Sequence, residues 1–207
     1  MDIADLFAAT RIIPVVSIDE ASHAAPLAEA LLGSGIGVIE ITLRTAAALQ
    51  SIEVLASQFP DMIVGAGSVR DAAQMVQISD AGARFAISPG VTAKLVAAAA
   101  QAKMPYVPGA ATPSEVLKLL EQGFTLQKLF PAQTVGGVDF LRAIAGPVPE
   151  VRFVPTGGIT ADLANDYLEQ PNVAAIGGSW IAPPTLINAG DFKRIAELAA
   201  HAAQTGI

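Results

Sequence analysis

Lys128 stands in the apolar run Leu126-Gln127-Lys128-Leu129-Phe130, a setting where a lysine is almost never buried without a reason. Successive side chains of a strand alternate between faces, so Lys128 shares a face with Leu126 and Phe130. A lysine amine ordinarily titrates near ~10.4. Burial in a low-dielectric wall favours the neutral, nucleophilic form, which attacks carbonyls to make imines. A second charged residue has a matching place. In Val38-Ile39-Glu40-Ile41-Thr42-Leu43 the side chains of Ile39, Ile41 and Leu43 share one face, while Glu40, Thr42 and the following Arg44 share the other. A carboxylate facing inward needs a partner or a task. The pair reads as a nucleophilic amine with a proton-transfer group beside it; the alternative is a purely structural ion pair, although buried pairs stabilise poorly.

Two glycine clusters point to an anion. Thr156-Gly157-Gly158 and Gly177-Gly178-Ser179 each follow a short β-rich run. Glycine lets backbone N–H groups come close to an oxyanion, and hydroxyls beside it add donors. Gly65-Ala66-Gly67-Ser68, Ser88-Pro89-Gly90 and Pro108-Gly109-Ala110 read as strand-to-helix turns. Among them Ser68 is a candidate to hold a carboxylate together with Arg44, while for Pro89 a turn and a substrate contact both stand.

These residues need elements to hold them. Candidate strands are Ile12–Val16, Val38–Leu43, Met62–Ala66, Phe85–Ser88, Tyr106–Pro108, Leu126–Phe130, Val151–Pro155 and Ala174–Ile176. Helical stretches alternate with them, among others Glu20–Leu32, Ala46–Gln58, Ala72–Asp80, Ala93–Gln101, Pro113–Glu121, Asp162–Leu168 and Asp191–Ala203. Thr112-Pro113-Ser114 and Thr160 mark helix starts, and Gly33, Gly82 and Gly123 mark helix ends. About eight strand–helix units in one chain predict an α/β fold, a single (β/α)₈ TIM barrel over residues 1–207. Ile3, Leu6 and Phe7 form one face of a short N-terminal helix that would close the bottom. The rival, an open doubly wound sheet, wants a glycine-rich loop after its first strand; here Ser17-Ile18-Asp19-Glu20 follows instead. In a barrel the loops after strands seven and eight form the usual phosphate site, where the two glycine clusters fall.

Composition closes off other chemistries. Without cysteine there is no disulfide, thiolate nucleophile or thiolate metal site. The two histidines, His23 and His201, fall in predicted helices away from strand ends, so neither a zinc site nor histidine acid–base chemistry is expected. No metal and no cofactor are expected. A net charge of −7 argues against nucleic acid or an anionic membrane as partner. It also requires that any anion site build its positive field locally. No signal peptide is read in Met1–Thr10, and no apolar run is long enough to span a bilayer, so a soluble protein is expected.

Six segments together resemble the 2-keto-3-deoxy-6-phosphogluconate (KDPG) aldolase family, which overlaps with 4-hydroxy-2-oxoglutarate (KHG) aldolase. They are Val38–Thr45, Val64–Val69, Phe85–Gly90, Lys128–Ala132, Val151–Ile159 and Ile176–Trp180, in the family's order over nearly the whole chain. The resemblance implies that Lys128 forms a Schiff base and Glu40 acts as general acid/base. It implies that Arg44 and Ser68 hold a pyruvyl carboxylate, that Pro89 and Phe130 shape the pocket, and that Thr156, Gly157, Gly158, Gly178 and Ser179 surround a distal phosphate. It further implies a cytoplasmic homotrimer of the Entner–Doudoroff route, acting on a 2-keto acid and a phosphorylated aldehyde. Two departures stand out: Ser68 replaces the family's usual threonine, and Gln133 replaces a common acid. Two other functions compete: a sugar-phosphate isomerase or epimerase, and a non-catalytic phosphosugar-binding module. The module would leave Lys128 facing Glu40 unexplained.

Overall fold

The computed structural model describes residues 3–8 and 11–205. Residues 1–2, 9–10 and 206–207, included in the expected 1–207 domain, lie outside the described residues. The strands are β1 (Ile12–Val16), β2 (Val38–Thr42), β3 (Ile63–Gly67), β4 (Phe85–Ile87), β5 (Tyr106–Val107), β6 (Gly109–Ala110), β7 (Leu126–Leu129), β8 (Arg152–Pro155) and β9 (Ile176–Gly178). All their pairings are parallel, so paired strands are joined by crossovers, most of them helical. The strands form a six-stranded sheet ordered β5-β4-β3-β2-β1-β9 and a three-stranded sheet ordered β6-β7-β8. Together they make a parallel α/β half-barrel in which the first strand lies between the second and the last. Pro108 separates β5 from β6, as expected of a residue with no N–H to give to a ladder. Its carbonyl still accepts from Lys128 N at 2.9 Å. Isolated bridges, Phe153 to Val173 and Thr156 to Gly177, link β8 to the segment around β9.

The strand faces divide the core in two. Ile39 and Ile41 of β2, with Val64 and Ala66 of β3, belong to the large cluster packed under helices such as α2 (Ala24–Gly33) and α3 (Ala48–Gln58). The opposite face gathers Ile13, Val38, Phe85, Ile87, Val107, Leu126 and Val154 into a second, inner cluster. Leu6 and Phe7 of helix α1 (Ile3–Ala8) complete it, with Phe7 set edge-on to Phe85 at 5.3 Å between ring centroids. Full burial of one such side chain stabilises by roughly 1.5–3 kcal/mol. The residues of this cluster lie toward the N-terminal ends of β2 and β7; the polar inner residues come later in the same strands.

Several elements depart from the sequence expectation. The last strand is Ile176–Gly178 rather than Ala174–Ile176, because its ladder runs through two glycines that propensity discounts. The expected helix over Glu20–Leu32 splits into a 3₁₀ turn, Ala21–His23, followed by α2. After α2 the left-handed glycine is Gly35 (φ 85°), not Gly33. The helices α4 (Ala72–Asp80), α5 (Ala93–Gln101) and α6 (Pro113–Leu120) follow in their expected places. Within the expected start Thr112-Pro113-Ser114 it is Thr112 that caps α6, in a capping box with Glu115 and with Pro113 in the first turn. Helix α7 (Gly137–Ala145) is absent from the sequence reading; it begins at Gly136 and Gly137, both with positive φ and without a side-chain cap. Helix α8 (Ala164–Leu168), the short α9 (Pro184–Asn188) and α10 (Phe192–Thr205) complete the chain. His23 lies 6.0 Å from the Phe192 ring, and His201 is within α10, so both belong to the helical layer.

Candidate active site

Lys128 and Glu40 meet. The Lys128 amine is 3.3 Å from Glu40 Oε1, within hydrogen-bond reach, and the two residues are 4% and 1% exposed. Both stand one inner-face step above the apolar cluster, Lys128 after Leu126 and Glu40 after Val38. Lys128 is fixed on both sides, in register with Gly109 of β6 and Val154 of β8. Its amine also lies 5.3 Å from the centre of the Phe130 ring, a cation–π distance.

Glycines on β3 create the room. Its outward positions carry Val64 and Ala66, but inward it presents Gly65 and Gly67. A β-carbon at Gly65 would strike the Phe85 ring, and one at Gly67 would strike the Glu40 carboxylate. Gly65 lies within the strand as expected, Gly67 extends it one residue past the expected end at Ala66, and the space the two leave is occupied by a core ring and the buried acid. Thr42, next on the β2 inner face, donates to Val16 O at 3.0 Å and meets Ser17 Oγ at 2.7 Å, tying the ends of β1 and β2 together.

Above the ion pair opens a pocket of about 380 Å³ lined by Leu43, Arg44, Ser68, Arg70, Pro89 and Phe130. Arg44 Nε donates to Ser68 Oγ at 3.1 Å, which leaves the outer nitrogens of the guanidinium for a ligand. Ser68 takes φ 58°, the left-handed region that a non-glycine residue occupies at a cost. Pro89 is held by its neighbour: Ser88 Oγ donates to Gly90 O and bonds Tyr106 OH at 2.6 Å. Burial pushes the Tyr106 phenol up, partly countered by that bond. Gly109 lets the Pro89 backbone approach β6, since a β-carbon there would meet the Pro89 carbonyl group.

The two glycine clusters are also brought together. The bridge from Thr156 to Gly177 sets them side by side, and a β-carbon at Gly177 would collide with the Thr156 side chain. Gly157 (φ 105°) and Gly158 (φ 79°) make a left-handed turn, and Gly157 lies along the Phe130 ring. Gly178 leaves space for the Trp180 indole, and Ser179 is exposed at the strand end. Gln133 packs on Gly158, and its N–H donates to Gly157 O at 3.1 Å. Of the pocket lining, Arg70 was not singled out in the sequence; a lone arginine after a strand carries no signal apart from its distance of two residues from Ser68.

An amine buried against a carboxylate, beneath a pocket lined by arginine and serine at the ends of parallel strands, is the equipment of an imine-forming lyase. The comparisons agree. The family model described as KDPG and KHG aldolase matches residues 3–198. A 2-dehydro-3-deoxy-phosphogluconate aldolase of Pseudoalteromonas atlantica is 46% identical over 96% of this chain and 92% of its own length. A KHG/KDPG aldolase of Escherichia coli K12 is 44% identical over 93% of this chain and 91% of its own. The crystal structure of a Legionella pneumophila KDPG aldolase superposes with a TM-score of 0.95 at 44% identity, covering 98% of each chain. That structure holds pyruvate captured at low pH as a covalent carbinolamine. The chain belongs to the KDPG and KHG aldolase family, and it is an enzyme, a carbon–carbon lyase of the Schiff-base class.

Proposed function

We propose that this enzyme cleaves 2-keto-3-deoxy-6-phosphogluconate reversibly to pyruvate and glyceraldehyde 3-phosphate, and 4-hydroxy-2-oxoglutarate to pyruvate and glyoxylate, with Lys128 as the covalent catalyst. The observation that carries the reading is the 3.3 Å contact between the buried Lys128 amine and Glu40, with the Phe130 ring of the arginine-lined pocket 5.3 Å from that amine. Lys128 adds to the 2-keto carbon to form a carbinolamine, which loses water to give a protonated imine. Glu40 takes and returns the protons of these steps. The imine withdraws electrons from the C3–C4 bond. Removal of the C4 hydroxyl proton, by Glu40 directly or through water, breaks that bond and releases the aldehyde. The enamine left behind is protonated at C3, and water adds to the imine, freeing pyruvate and the Lys128 amine.

In this reading Arg44 and Ser68 hold the pyruvyl carboxylate, Pro89 and Phe130 shape the pocket, and Thr156, Gly157, Gly158, Gly178 and Ser179 receive the phosphate. The two sheets then act as one closed (β/α)₈ barrel over residues 1–207, with β5 and β6 a single strand interrupted at Pro108 and α1 as its lower plug. The active form is a cytoplasmic homotrimer of the Entner–Doudoroff route. No helix among the described residues is long and apolar enough to cross a membrane. Among them, no three His, Asp or Glu side chains gather as metal ligands. The testing experiment is a cleavage assay on both substrates after exhaustive EDTA treatment, reading pyruvate release. Sustained release supports the proposal; activity lost and regained only with a divalent ion would overturn it.

A further inference from the structure

Arg70 stands in the wall of the pocket that contains Arg44 and Ser68, and its side chain has no part in the chemistry derived above. Its backbone is anchored: Arg70 N donates to Gln74 Oε1 at 2.8 Å, and Gln74 N donates to Asp71 Oδ1 at 2.9 Å, at the start of α4. Asp71, the nearest acid in sequence, is thus engaged as the helix cap. Among the described residues the ion pairs are Lys128–Glu40, Arg142–Asp139 and Arg194–Glu197, and none includes Arg70. The pocket wall therefore carries two guanidinium groups and no acid. In a chain of net charge −7, two cations at the mouth of one pocket are the local positive field that an anionic substrate requires.

We propose that Arg70 is a second recognition residue for the carboxylate of the 2-keto acid, working beside Arg44 and selecting anionic pyruvyl compounds over neutral ones. The inference rests on the aldolase reading and deepens it. Arg44 already spends its Nε on Ser68, so it presents one edge of its fork to a ligand. Arg70 is exposed, and its attraction is screened accordingly, so its share is a moderate one. It acts on capture and retention of the keto acid rather than on bond breaking.

The test uses borohydride trapping of pyruvate and of its neutral amide, pyruvamide, on the native enzyme, R70Q and R70K. R70Q should raise the half-saturating pyruvate concentration by roughly two- to tenfold. Pyruvamide should trap on R70Q and native enzyme with the same half-saturation. R70K should recover most of the pyruvate loss, and added salt should narrow the gap between native enzyme and R70Q. Unchanged pyruvate half-saturation in R70Q overturns the proposal, as does an equal shift for pyruvamide. Absence of pyruvate trapping on the native enzyme would instead remove the aldolase reading itself, and the role of Arg70 with it.

Discussion

Glu40 and Lys128 are 88 residues apart and come from different hydrogen-bonded sheets, yet their side chains meet at 3.3 Å. No local preference produces that contact; the packing of both sheets around one inner face does. Removing one partner of such a pair leaves a buried charge unmatched. The substitution that separates catalysis from support is Glu40→Gln, which keeps the shape and one oxygen acceptor but abolishes proton transfer. Turnover should fall about a hundredfold or more, with the loss in kcat rather than KM. Near-normal turnover with a lowered melting temperature would mark Glu40 as a structural counterion only.

Gly67 supplies an independent probe of the same acid. A β-carbon there would displace the Glu40 carboxylate from its seat. Gly67→Ala should therefore lower kcat by about tenfold or more while destabilising the fold by ~1–3 kcal/mol, the usual range for overpacking. Thermal melting and steady-state kinetics on one preparation check both numbers. Full activity in this variant would mean that the position of Glu40 is not critical.

The phosphate assignment is tested at Ser179, exposed at the end of β9. Ser179→Asp removes a hydroxyl donor and adds a like charge beside the expected dianion. The kcat/KM for KDPG should fall about tenfold or more, while 4-hydroxy-2-oxoglutarate, which lacks the phosphate, should suffer much less. Equal losses would make Ser179 an architectural residue.

The capping box of α6 gives a pH-dependent prediction. Glu115 accepts hydrogen bonds from Ala111 N at 2.9 Å and Thr112 N at 3.0 Å. The bond from Ala111 foremost, helped by those from Thr112 and by the charge of Lys118, holds its carboxyl below the usual glutamate range, against the opposing effect of burial. A folded-state value below the unfolded one means stabilisation that is complete above the unfolded pKa and is lost as pH falls through the folded one. The stability gap between native protein and Glu115→Gln, from urea titrations, should thus be present at neutral pH and close in acid. A gap that widened on acidification would contradict this.

Much of the site was legible in the sequence because strand alternation is strict. Once β2 and β7 are accepted, Glu40, Thr42 and Lys128 must point inward, while Ile39 and Ile41 must face the helices. The glycine clusters were legible through their place after the last two strands. Three features were not. Gly65 and Gly67 read only as residues at the end of a strand before a turn; their use is to leave volume for Phe85 and Glu40, a relation between distant residues that no spacing reveals. Helix α7 starts at two left-handed glycines without a side-chain cap, so it lacked the usual signal. Arg70 lines the pocket from the turn after β3, two residues past the left-handed Ser68, a placement that no motif in the sequence marks.

The central claim is that Lys128 forms an imine with pyruvate, and covalent trapping tests it most directly. The enzyme is incubated with pyruvate, reduced with borohydride, digested and mapped by peptide mass spectrometry. The account predicts a 1-carboxyethyl group on the Lys128 ε-nitrogen, with activity lost in step with its appearance. An enzyme that stays active, with Lys128 unmodified under these conditions, would contradict it.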